Sequence, residues 1–176
     1  MNLQQQQIMS RFAEHLEQLI ERTGQLTSWL VLGMVILTAL VVLLRYWFDT
    51  GWIALQESIS YLHSTVFMLG ASYALKHNEH VRVDIFYDRL SDKAKAWVDL
   101  SGHLFILIPV MVFIFWVSWP YVVSSWEIKE ASNEAGGLPG VYLLKSLILL
   151  MSGLLIVQAL ALILKAVVKI TENTSP

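Results

Sequence analysis

The sequence predicts an all-α integral membrane protein, a single domain over residues 1–176 built from four transmembrane helices behind an N-terminal amphipathic helix, with both termini in the cytoplasm. Three observations carry this. The 176 residues are 56% hydrophobic and only 15% charged, against about 25% charged in an ordinary soluble domain. The apolar residues gather into four runs of the length, roughly 20 residues, that a hydrocarbon layer about 30 Å thick demands. Lys and Arg fall unevenly between the intervals: Arg11, Arg22, Lys76, Arg82, Arg89, Lys93, Lys95, Lys165 and Lys169 lie on one side of such a threading, and only Arg45, Lys129 and Lys145 on the other. The positive side is the cytoplasmic one.

The elements follow in order. Over about residues 8–22, Ile8, Met9, Phe12, Leu16, Leu19 and Ile20 recur at helical spacing among Arg11, Glu14, Glu17, Gln18 and Glu21, which predicts an amphipathic helix along the membrane surface or against a partner protein. The start is polar (NLQQQQ) and lacks the basic-then-apolar order of a cleaved signal, so the first span, about 26–44, is expected to remain as an anchor. Trp29 and Trp47 mark its two interfaces. Arg45 ends it, and Asp49 and Gly51 supply a turn.

The second span, about 53–75, is the most polar. Glu57, Ser60, Tyr61, Ser64, Met68, Ala71 and Ser72 fall on one face at i, i+3, i+4 spacing, and Gly70 with Ala74 forms a small-xxx-small pair on a neighbouring face; in lipid such faces meet other protein. The third span, about 97–123, contains Pro109 and Pro120 and should tilt or kink, with Ser91 or Asp88 capping its start. The fourth, about 138–168, begins near Pro139 and carries Lys145 and Lys165 close enough to its ends to snorkel.

Several chemistries are excluded or disfavoured. Without cysteine there is no disulfide, thiol nucleophile or Fe–S ligation. No basic face offers a footprint for nucleic acid, and no phosphate loop, nucleophile elbow or zinc-protease helix occurs, so no catalytic residue is assigned. His77, Glu79, His80 and Asp84 have metal-ligand types, but H-x-x-H on a loop matches no zinc spacing, and no metal site is assigned. A haem between His63 and His103 requires ligands at one depth, whereas these lie about 18 Å and about 9 Å from the inner helix ends; no cofactor is assigned. Asp99 and His103, one turn apart, are expected to bond each other. Arg45 and Glu57 flank one outer turn, where an ion pair would lower the cost of two charges near the hydrocarbon edge.

Arg45 ending the first span, Glu57 opening the second, the run HSTVFMLGASYALKHNEHVRVD from His63 to Asp84, then Ser125, Trp126 and Glu130, and GGLP from Gly136 to Pro139 together resemble the small membrane subunit, DctQ type, of tripartite ATP-independent periplasmic (TRAP) transporters. The family's first-turn acidic pair is here Gln56 and Glu57, so only Glu57 carries over. The resemblance implies a multi-pass protein of the bacterial inner membrane, a scaffold partnered with a large elevator-type membrane subunit that moves substrate with sodium, and with a periplasmic substrate-binding protein. It further implies uptake of an organic acid, in detail a 2-oxo acid or related carboxylate. Arg45, Glu57, Ser64, His80, Arg82 and Asp84 are the residues assigned to subunit contact or structural support. Two other readings are a stand-alone homo-oligomeric transporter or channel, and a haem-binding electron-transfer subunit.

Overall fold

A computed structural model describes residues 3–77, 87 and 90–172. The order is α1 (Leu3–Phe48), α2 (Ile53–Lys76), α3 (Asp92–Gly102), a π-helical turn (His103–Leu107), α4 (Ile108–Glu127) and α5 (Val141–Glu172). Every regular element among the described residues is helical.

The separate amphipathic helix expected over about 8–22 is corrected: it runs without a break into the first span, giving α1 46 residues and a length of about 69 Å. The two pieces fuse because their inward stripes are in phase. Ala13, Ile20 and Thr27, one heptad apart, are buried, and Leu30, Met34, Leu37, Val41 and Leu44 continue the line half-buried. Intervals alternating between three and four residues keep one seam facing a partner that wraps with a left-handed twist. Gly24 is the only residue between them that weakens a helix, and its small size is used: a β-carbon there would lie 2.5 Å from Cγ and 2.8 Å from Cε2 of Tyr73 on α2. One side of the amphipathic half, at Ala13 and Ile20, packs on its own chain. Ile8, Phe12 and Leu19 remain on its exposed side.

At Pro109, where a tilt or kink of the third span is expected, the structure shows a local change of helix type. Proline has no N–H to give to the carbonyl four residues back, and its ring crowds that carbonyl. The preceding turn opens into a π-helix, in which the Ile108 N–H donates to His103 O, five residues back. Upstream, Ser91 is the cap: its Oγ accepts from the Ala94 N–H at 3.3 Å, and Asp92 follows in the first turn. Helix thus begins five residues before the expected span, in a polar turn that hydropathy alone does not mark.

α5 is the hub, touching α1, α2, α3, the π turn and α4. Ser152, Ala159 and Ala166 recur every seventh residue and are all buried; their small side chains let neighbouring backbones approach, the usual basis of helix association in lipid. α1, α2 and α5 pack mutually, and α3 and α4 lie chiefly against α5.

Three segments are long and apolar enough to cross a membrane: Gln4–Phe48, Asp92–Glu127 and Val141–Thr171. α2, with Gln56, Glu57, Ser60, His63 and Ser64, is not among them. At one end of the bundle the polar half of α1 is tied to the C-terminal ends of α2 and α5. Glu21 accepts from Lys76 Nζ at 2.5 Å and meets His77 Nε2 at 3.1 Å, Glu17 pairs with Lys165 at 2.5 Å, and Gln6 donates to Thr171 at 3.4 Å. Lys165, expected to snorkel, pairs with that carboxylate and keeps its side chain 48% exposed. Arg45, Glu57 and the interval between α4 and α5 lie at the opposite end.

Candidate functional site

The best-organised polar constellation is at that opposite end, where the 128–140 loop is clasped to α2. α4 stops in a Schellman arrangement: the Glu130 N–H donates to Ser125 O at 3.0 Å and the Lys129 N–H to Trp126 O at 3.3 Å. Lys129 occupies the left-handed position normally given to glycine, with φ 49°. Its ammonium offsets part of that strain by resting over two rings, 4.6 Å from the Trp126 centroid and 5.0 Å from that of Tyr142. The rings meet edge to face at 4.7 Å, and the Trp126 indole donates to Ser146 Oγ at 2.8 Å. The end of α4 is thereby fastened to the start of α5.

The loop then folds on itself, with the Ser132 N–H donating to Leu138 O at 3.0 Å and the Val141 N–H to Glu130 O at 3.1 Å. Glu57 reaches into this fold from α2. One carboxylate oxygen accepts from the Ser132 hydroxyl, the other from the Leu138 N–H at 2.6 Å. Gly137 leaves the room for this approach: a β-carbon there would lie 2.5 Å from Ser132 Oγ and 2.9 Å from Glu57 Oε1. The expected Arg45–Glu57 ion pair is therefore corrected. Both carboxylate oxygens are taken by the loop, while Arg45 is exposed at the end of α1 beside Val41, Val42, Tyr46 and Asp49.

Lys145 is likewise not a snorkelling lysine. Its side chain is only 15% exposed, pairs with Glu130 and lies 4.0 Å from the Tyr121 ring centroid. This ammonium holds the Glu130 carboxyl below its ordinary value of 4.5. A depressed folded-state value means that the stabilisation is present above the ordinary value and is lost as pH falls through the folded one. Thermal melts of wild type and Glu130→Gln should therefore differ at pH 7 and converge below about pH 4.5. A gap of constant size across that window would show that the pair contributes no pH-dependent stability.

Of the other sequence-assigned residues, Ser64 sits half-buried on α2. His80, Arg82 and Asp84 lie outside the described residues, as do Glu79 and Asp88. His77 is engaged by Glu21. His63 is exposed on α2, whereas His103 is buried with its Nδ1 against the Asp99 carbonyl at 2.5 Å. The expected Asp99–His103 side-chain bond is corrected: the Asp99 carboxylate accepts from the Tyr87 hydroxyl at 2.7 Å, and the imidazole turns to the backbone. Reasoning from sequence missed Ser132, Tyr142 and Lys145 as members of the outer constellation. Glu130 and the GGLP run were noticed separately, but nothing in their spacing connects them to a carboxylate some 80 residues earlier.

Its carboxylates are engaged by the loop and by a lysine: Glu57 by Ser132 and the Leu138 N–H, Glu130 by Lys145. The contacts join α2 to the loop and the loop to α5. Residues 34–169 match the family described as Tripartite ATP-independent periplasmic transporters, DctQ component. No curated relative and no solved structure matches the chain. Trp126, Glu130 and the Gly136–Pro139 run, which carried the resemblance in the sequence, converge with Glu57 on this one joint, all within the matched stretch. The chain belongs to the DctQ component family of tripartite ATP-independent periplasmic transporters, as a small membrane subunit.

Proposed function

We propose that this chain is the fixed, non-enzymatic scaffold of a sodium-coupled, binding-protein-dependent importer in the bacterial inner membrane. It supports an elevator-type large subunit that takes up an organic acid, a 2-oxo acid or related carboxylate. Transporters of this family combine a large membrane subunit with a binding protein. The observation that carries the scaffold reading is that the bundle is tied at both ends, by Glu17 and Glu21 at one and by Glu57 at the other. Within it, the buried polar residues among those described are Thr27, Ser72, His103, Ser125, Ser152 and Gln158. None is a carboxylate, and proton- or sodium-coupled carriers ordinarily place carboxylates in the membrane. A body braced in this way suits a support better than a moving carrier.

In this reading α2 also crosses the bilayer, since its two ends are fastened at opposite ends of the bundle, and both chain termini face the cytoplasm by the distribution of Lys and Arg. A reporter that works only in the cytoplasm, fused after Pro176, should be active; activity only of a periplasmic reporter would reverse the orientation. Vesicles with a sodium gradient should accumulate carboxylate when they hold both membrane subunits and receive the binding protein, and should accumulate none with this chain alone. Uptake by the chain alone would make it a carrier and remove the scaffold.

A further inference from the structure

On the outward faces of three helices the structure presents the surface expected of a protein in lipid. α1 shows Trp29, Leu32, Val35, Ile36, Leu40 and Leu43; α4 shows Val112, Phe113, Trp116 and Val117; α5 shows Leu150 and Leu160. The exposed hydroxyls on this part of α1, Ser28 and Thr38, bond to their own helix backbone, at Gln25 O and Met34 O.

α2 differs. Its exposed residues are Gln56, Ser60, His63 and Phe67, and Phe67, 71% exposed, stacks beside His63 with ring centroids 6.5 Å apart. Gly70 and Ala74 extend the same line, and nothing lies within 4 Å of where a Gly70 β-carbon would be. At 100° per residue these six positions fall within an arc about 80° wide, and from Gln56 to Ala74 the line is about 27 Å long, close to the full hydrocarbon depth. The inward face of α2, with Glu57, Tyr61 and Ser72, is a different one and is occupied by this chain. Of the seven residues that the sequence places on one polar face, Ser60 is the member turned outward.

An amide, a hydroxyl and an imidazole along one outward line within the hydrocarbon are unfavourable against acyl chains, which offer no hydrogen bond. Gly70, with open space where its β-carbon would be, and Ala74 one turn on form a small-xxx-small pair of the kind that lets a second helix approach closely. Spacings alternating between four and three residues are those of a seam that a second helix crosses at about 20°.

Resting on the scaffold reading above, we infer that the Gln56–Ser60–His63–Phe67–Gly70–Ala74 line of α2 is the membrane-embedded docking seam for one transmembrane helix of the large subunit. That helix lies against the seam through the depth of the bilayer. It presents hydrogen-bonding side chains opposite Gln56, Ser60 and His63, and small residues opposite Gly70 and Ala74. Lipid is disfavoured by the polar half of the seam and a soluble partner by its depth.

The triple substitution Gln56→Leu, Ser60→Leu, His63→Leu gives the line a lipid-like surface without touching the buried face. The variant chain alone should melt in detergent no lower than wild type, while recovery of the large subunit on the tagged small subunit should fall about tenfold. The chain has no cysteine, so a benzophenone placed on a single introduced thiol gives a second measurement. His63→Cys should crosslink to the large subunit in membranes, and Val117→Cys on α4 should not. Unchanged recovery of the large subunit by the triple variant, or equal crosslinking from both positions, overturns the seam. Crosslinking from His63→Cys to a second copy of this chain overturns it in favour of self-association. If wild type itself recovers no large subunit, the scaffold reading fails with it; if wild type recovers it and the variant does so equally, the seam alone fails.

Discussion

Gly24→Ala is expected to destabilise the bundle by about 1–3 kcal/mol, the usual cost of forcing extra volume into a packed contact. On an exposed helix the same change stabilises, since alanine is favoured over glycine in helix interiors by about 1 kcal/mol. The sign is decided by Tyr73. The new methyl would overlap the near edge of its ring, and the ring cannot swing away freely because His77 lies 4.4 Å off. Displacing it also disturbs the Glu21–Lys76–His77 cluster one turn away. Thermal unfolding of the purified chain in detergent measures the effect, and a double-mutant cycle isolates its cause. In a Tyr73→Ala background, Gly24→Ala should become stabilising by about 1 kcal/mol. If it destabilises equally in both backgrounds, the ring is not the obstacle.

The second large effect is expected at the outer joint. Glu57→Ala leaves the Leu138 N–H and the Ser132 hydroxyl without their acceptor, and an unsatisfied polar group costs more than the hydrogen bond is worth. Gly137→Ala attacks the same joint sterically and should cost about 1–3 kcal/mol. The two losses should be strongly non-additive, because either change alone pulls the carboxylate out of the loop. Limited proteolysis between Ile128 and Gly140 provides the measurement: both single variants should be cut faster than wild type, and the double variant little faster than either. Fully additive cleavage rates would mean that Glu57 and Gly137 act independently.

Helix identity was legible from the sequence because it depends on local quantities: apolar run length, proline position and a serine ahead of an acidic first turn. The junction inside α1 was not. A glycine between a charged segment and an apolar one ordinarily signals a boundary, and only the ring packed on it from α2 shows the glycine to be a contact point within one helix. Glu57 was identifiable as unusual, since a carboxylate in the first turn of a membrane helix is costly. Its partner was misjudged because the nearest cation in sequence, Arg45, looked sufficient, while the true partners are a hydroxyl and a backbone amide of a loop that hydropathy treats as featureless. Lys145 was misread for a related reason: snorkelling is the default for a lysine near a helix end, and the competing carboxylate, Glu130, acts only because the Schellman turn brings it back. The split face of α2 required both periodicity, which sequence supplies, and knowledge of where α1 and α5 sit, which it does not.

The ties of α2 have one more effect. Lys76 is engaged at one tip and Glu57 near the other, so sliding the helix along its axis by even one residue's rise, about 1.5 Å, strains both fastenings at once. Rotation about the axis is opposed by the Tyr73 ring seated on Gly24. A rod clamped in this way conveys load with almost no stroke. If the proposed scaffold reading holds, a force applied to its exposed side is passed to α1 and α5, the helices it packs against.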